Sequence, residues 1–164
     1  MLRISKLTDY ATVILARLAA EPARRFTAAQ LASQTRLAAP TVSKLLKQLH
    51  RRGLVNSTRG LHGGYLLARP AIEINAAQIL DALEGPMALT ECAGSESHCC
   101  IEASCLVGRA WQRVNLAIRR SLLEITLLEL AGLSSGASQT SALDRGIPLA
   151  LGSIAARSLK REAL

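Results

Sequence analysis

Apolar residues recur at helical spacing through the first half of the chain. Ala11, Ile14, Leu15 and Leu18 share one face of a helix expected from about Thr8 to Ala20, with Pro22 beyond its end. A second, short helix should open at Thr27. Thr27 and Gln30 stand at capping-box spacing, Phe26 and Leu31 at the positions of a hydrophobic staple, and the helix should end near Gln34 or Thr35. After the turn Arg36-Leu37-Ala38-Ala39, Pro40 suits the first helical position, and Val42, Leu45, Leu46 and Leu49 repeat at i, i+3, i+4, i+7 before Gly53 closes the third helix.

The period then changes. Leu54-Val55-Asn56-Ser57-Thr58 and Tyr65-Leu66-Leu67-Ala68 flank a tip containing Gly60, Gly63 and Gly64, which predicts a β-hairpin. Helix, turn, helix and hairpin in this order is the plan of a winged helix-turn-helix, and the low aromatic content of 2% leaves Leu, Ala, Ile and Val to fill a mainly α core. Asn75 with Gln78, and Ile74 with Ile79, signal a further helix stopped by Gly85-Pro86. A long helix is expected from about Cys105 to Ala131. Its residues Val107, Trp111, Val114, Ile118, Ser121, Ile125 and Leu128 step alternately by four and three, a seam that asks for a partner helix. The Ser/Gly-containing stretch from Ser134 reads as a linker, with a weak helix over 147–164. The expected organisation is therefore 1–69 winged helix-turn-helix, 70–104 connecting helix and cysteine-rich loop, 105–132 dimerisation helix, and 133–164 linker and tail.

Charge is distributed unevenly along this frame. Residues 1–69 hold 12 Lys/Arg against 2 Asp/Glu, residues 70–105 hold none against 6, and residues 106–164 hold 8 against 4. A basic front half points to a polyanion, with double-stranded DNA ahead of an anionic membrane surface. The polar face of the third helix carries Thr41, Ser43, Lys44, Lys47, Gln48, Arg51 and Arg52, and Arg59 stands at the hairpin tip, where a guanidinium can enter a minor groove. An ordinary solvated face is the alternative; the adjoining hairpin favours DNA. No run reaches the length of a membrane span, and no signal peptide is evident at the start of the chain, so a reducing cytoplasm is the expected setting.

All four cysteines, Cys92, Cys99, Cys100 and Cys105, fall within fourteen residues. Thiolates gathered on one short loop suit an Fe-S cluster, zinc or copper(I) better than a hard cation. Zinc is the main rival, although adjacent Cys99-Cys100 is awkward for one tetrahedral ion, and a metal-free thiol switch is a further alternative. An enzyme is not expected. Cys99 or Cys105 with His98 would lack an orienting residue and an oxyanion donor, while His50 and His62 read as surface residues without a companion base or nucleophile.

Leu7-Thr8-Asp9-Tyr10-Ala11, Ser57-Thr58-Arg59-Gly60, Gly63-Gly64-Tyr65-Leu66-Leu67 and the spaced Cys92, Cys99 and Cys105 together resemble the Rrf-two family of bacterial winged-helix regulators, the group containing IscR, NsrR and the SUF-assembly regulators, over about residues 1–132. The resemblance implies a homodimer paired through the long helix, DNA docking by recognition helix and wing, and a cluster held by Cys92, Cys99 and Cys105, with 2Fe-2S placed ahead of 4Fe-4S. By register, Thr41, Ser43 and Lys44 would face base edges, Lys47 and Arg51 phosphates, and Arg59 the minor groove. The chain departs from IscR-type members at Gly108, where they place histidine. Cys100 or Asp9 would then be the fourth ligand, with His98 a third choice. The implied function is a regulator of iron-sulfur assembly genes, with a nitric oxide or redox-responsive regulator as the alternative.

Overall fold

The computed structural model describes residues 4–60, 62–86 and 107–134. Helix α1 (Lys6–Ala20) is capped by Ser5, whose hydroxyl accepts from the Thr8 amide. Helix α2 (Ala28–Thr35) opens with the expected reciprocal box, Thr27 accepting from Gln30 N–H and Gln30 accepting from Thr27 N–H. Phe26 and Leu31, the staple pair, are both fully buried. Arg36 ends α2 in the left-handed region at φ 56°, and Leu37 N–H returns to Ala32 O, so the chain turns sharply into α3 (Ala39–Arg51). Pro40 occupies the second rather than the first helical position of α3. Both lie in the turn whose amides have no intrahelical acceptor, so the missing N–H costs nothing at either.

Strands β1 (Val55–Thr58) and β2 (Gly64–Leu67) pair antiparallel, Val55 opposite Leu67 and Thr58 opposite Gly64. Phe26 adds a bridge on the other edge of β2, exchanging two backbone hydrogen bonds with Tyr65 at 3.0 and 2.8 Å. This contact needs glycine at position 64, where φ is +151° and a Cβ would lie 2.9 Å from the Phe26 carbonyl oxygen. After a 3-10 turn at Ala71–Glu73, α4 (Ala76–Leu83) opens with the Asn75–Gln78 box and buries Ile74 and Ile79.

One core unites these elements. Ile14, Leu15 and Leu18 of α1 meet Leu31 of α2, Val42, Leu45, Leu46 and Leu49 of α3, Leu54, Val55 and Leu67 of the hairpin, and Ile74 and Ile79. Each fully buried aliphatic side chain contributes about 1.5–3 kcal/mol relative to exposure. The described residues all belong to one compact unit, 1–134; a second, 135–164, lies outside the described residues, as does the expected tail helix.

The continuous helix expected over 105–131 is instead two helices: α5 (Gly108–Glu124) and α6 (Leu127–Leu130). Ile125 is extended at φ −85°, ψ 114°, and Thr126 caps α6 through a capping box with Glu129. The break lets Ala76 N–H donate to Ile125 O at 2.9 Å and Leu127 N–H to Ile74 O at 2.7 Å, and it seats Leu127 fully in the core. Thr126-Leu127-Leu128-Glu129 carries the capping signature in the sequence, but the apolar stepping through Ile125 and Leu128 masked it.

Candidate nucleic-acid interface and the cysteine segment

Helix α3 separates its two faces cleanly. Val42, Leu45, Leu46 and Leu49 are fully buried, whereas Lys44, Lys47 and Arg51 are exposed and Thr41 and Ser43 half-buried. Thr41, Lys44 and Arg51 follow i, i+3, i+10 spacing, so they align along the outer face with Lys47 between. No acidic residue occurs in α3, and its last turn carries His50 and Arg51, cations or potential cations at the negative end of the helix dipole. An extended, one-signed, solvent-facing helix surface of this kind can follow a phosphate-lined groove.

The hairpin stands beside this face. Arg59 is exposed at its tip, where Gly63 N–H donates to Gly60 O at 2.9 Å. Any side chain at position 63 would collide with the turn, since a Cβ would fall 2.3 Å from Thr58 O. Arg25, ahead of α2, donates to Thr58 Oγ1 at 2.7 Å and ties the base of α2 to the end of β1. Between α3 and the hairpin lies a cleft of about 550 Å³, with Thr27, Lys47, His50, Ser57, Arg59 and Tyr65 among its lining residues. Lys47 of α3 and Arg59 of the hairpin tip thus line the same cleft. Sequence reasoning missed His50, Thr27 and Arg25. No local signal marks His50, because its partner, the Val55 carbonyl, lies across the turn that follows α3.

Cys92, Cys99, Cys100 and Cys105, together with His98, lie outside the described residues, and the described residues hold no cluster of His, Cys, Asp or Glu able to bind a metal. Asp9, the remaining candidate ligand, is exposed in the first turn of α1. Gly108, at the point of departure from the histidine pattern, is the buried first residue of α5.

The last turn of α4, where the chain heads into the cysteine segment, is bonded on three sides. Glu84 accepts from Thr8 Oγ1 at 2.6 Å and Ser5 N–H at 3.0 Å, which holds its carboxyl below the usual carboxylate range, the Thr8 hydroxyl contributing most. Asp81 accepts two hydrogen bonds from the Arg119 guanidinium, at 3.1 and 2.7 Å, and this raises the proton affinity of Arg119. Gln48 of α3 donates its side-chain amide to the carbonyls of Ala82 and Leu83 at 3.4 and 3.1 Å. The same short turn therefore touches α1, α5 and the candidate recognition helix.

Most of the expected seam stays uncovered by the described residues. Val107, Trp111 and Val114 are 58%, 44% and 42% exposed, and α5 buries only Gly108 and Asn115. Among the described residues no helix is long and apolar enough to cross a membrane.

Comparison with known proteins agrees with this geometry. A family model described as Rrf2, iron-dependent transcriptional regulator, matches residues 4–132. The chain belongs to the Rrf2 family. A relative in Neisseria meningitidis named as an HTH-type transcriptional regulator is 43% identical over 86 residues, which cover 52% of this chain and 57% of that protein. The chain thus matches little more than half the length of this curated relative. Among solved structures, CymR, the global cysteine regulator of B. subtilis, superposes with a TM-score of 0.63 at 29% identity, covering 80% of this chain and 98% of its own. The IscR of T. potens gives 0.62 at 25% identity over 86% and 94%. The winged helix-turn-helix expectation holds, and the Rrf2 family is one of transcriptional regulators, not enzymes.

Proposed function

We propose that this Rrf2-family chain is a homodimeric DNA-binding regulator whose operator affinity responds to an iron-sulfur cluster. The observation that carries the DNA reading is the acid-free outer face of α3, with Lys44, Lys47 and Arg51 exposed beside the Arg59 wing. Thr41, Ser43 and Lys44 would face base edges, Lys47 and Arg51 phosphates, and Arg59 the minor groove. The exposed Val107, just ahead of α5, and Trp111 and Val114 on it support pairing of two copies, since the described residues leave this seam in water.

The donor set suits a cluster. Cys92, Cys99 and Cys105 would hold it, with Cys100 or Asp9 completing the set; thiolate-rich donors fit iron-sulfur chemistry, and the cluster would supply a redox- and ligand-sensitive charge. We place 2Fe-2S ahead of 4Fe-4S, and iron-sulfur assembly genes as the targets. The last turn of α4 offers a route from cysteine segment to recognition helix through Gln48, so that two arrangements of that turn would have different operator affinities.

Anaerobic purification with visible spectroscopy and iron and sulfide analysis tests this reading. Wild type should be coloured and contain both elements, and Cys92→Ala, Cys99→Ala and Cys105→Ala should each lose them while keeping the helical circular dichroism. A colourless protein with stoichiometric zinc, or a reversible disulfide without iron, would replace the cluster with the corresponding alternative.

A further inference from the structure

The cleft between α3 and the hairpin has a chemical bias. Among the described residues, its cationic groups are Lys47 and Arg59, its hydroxyls include those of Thr27, Ser57 and Tyr65, and no Asp or Glu lines it. A pocket with that lining attracts an anion and repels nothing about one. His50 lines the same cleft, and its Nδ1 lies 2.9 Å from the Val55 carbonyl oxygen. A carbonyl oxygen only accepts, so Nδ1 carries the hydrogen, and in the neutral ring Nε2 presents a lone pair. A lone pair cannot serve a phosphate oxygen. Protonation converts Nε2 into a donor without disturbing the bond that orients the ring.

We infer that this cleft seats a backbone phosphodiester of bound DNA, and that His50 takes up a proton as the duplex docks, so that Nε2–H joins Lys47 in holding that phosphate while Arg59, at the hairpin tip, reaches on to the minor groove. The inference rests on the DNA-binding reading above and adds to it a position for one phosphate and a proton linkage. Among the described residues, the titratable and charged groups lining the cleft with His50 are Lys47 from its own helix and Arg59 and Tyr65 from the hairpin, and the start of α2 contributes the neutral Thr27. The arriving phosphate supplies the negative charge that a protonated ring would face. Imidazole changes charge between about pH 5 and 8, so the linkage would fall in a physiological range.

The test uses the full chain and a fluorescein-labelled duplex of arbitrary sequence, because a phosphate contact does not depend on sequence. Anisotropy titrations at constant ionic strength should show wild-type binding weakening by up to about tenfold per protomer from pH 6 to pH 8. His50→Gln, whose thermal unfolding should match wild type, should lose most of that response and bind at every pH like wild type at pH 8. Arg59→Ala should bind more weakly throughout but keep the pH response. Wild-type binding that is flat with pH, or a response that persists in His50→Gln, would overturn the proton linkage and leave the DNA reading standing. No duplex binding by wild type at any pH would remove both. Sub-millimolar inorganic phosphate shifting the His50 imidazole resonances, together with pH-independent duplex binding, would make the cleft a free-anion site and overturn its assignment to DNA.

Discussion

Removing the ammonium of Lys47 should change the salt dependence of DNA binding by a calculable amount. Lys47 is exposed on α3 and has no ion-pair partner among the described residues, so Lys47→Ala leaves the buried stripe of Val42, Leu45, Leu46 and Leu49 untouched. Each neutralised phosphate contributes about 0.9 to the slope of log K against log salt, so a two-fold dimer losing two contacts should flatten that slope by about 1.8. Between 50 and 200 mM salt, a fourfold change, wild type should therefore lose about twelvefold more affinity than the variant. Anisotropy with a labelled duplex at five or six salt concentrations reads the slope directly, and the deficit of the variant should appear on specific and arbitrary duplexes alike. An unchanged slope would refute the placement of Lys47 against the backbone, and a deficit confined to one sequence would mean that Lys47 reads a base instead.

Two further outcomes concern the last turn of α4. Gln48→Ala removes the amide that joins α3 to the Ala82 and Leu83 carbonyls, and should shrink the ratio of duplex affinities with and without cluster towards one, from a coupling of about 1–3 kcal/mol, while cluster content stays at the wild-type level; a preserved ratio would exclude this route. Glu84 has a lowered folded-state pKa, so its stabilising contribution is present above the ordinary value of 4.5 and disappears as pH falls through the lower folded value. Because the group is largely exposed, Glu84→Gln should cost under about 1 kcal/mol near neutrality, and the gap from wild type in urea denaturation should close below that range; a gap that widens in acid would contradict the Thr8 and Ser5 contacts.

Much of the winged domain was legible because its signals are local. A capping box spans four residues, so Thr27–Gln30 and Asn75–Gln78 located two helix starts without tertiary information. The 3.6-residue period of Val42, Leu45, Leu46 and Leu49 likewise identified the buried face of α3, and by subtraction its cationic face. Glycine at the hairpin tip was equally readable, since only a residue without Cβ fits position 63. The bunching of four thiols within fourteen residues is also a property of the chain itself.

What the chain pattern left undecided depends on partners far apart in sequence. Thr126 begins a new helix rather than extending α5 because the Asn75–Thr126 bridge and the burial of Leu127 near Ile74 outweigh the apolar stepping that would have continued it. The attachments of the last α4 turn join residues 34 to 79 positions apart, and Phe26 meets Tyr65 across 39, so no window of helix or strand length contains either pair. His50 shows the same division: its residue type and its place in the last turn of α3 were plain, but only folding brought the Val55 carbonyl to its ring and set it in one cleft with Lys47 and Arg59. Backbone conformation is set largely within one helical turn, whereas the meeting of side chains from different elements is set by how one shared core packs, and that is settled only when the whole domain closes.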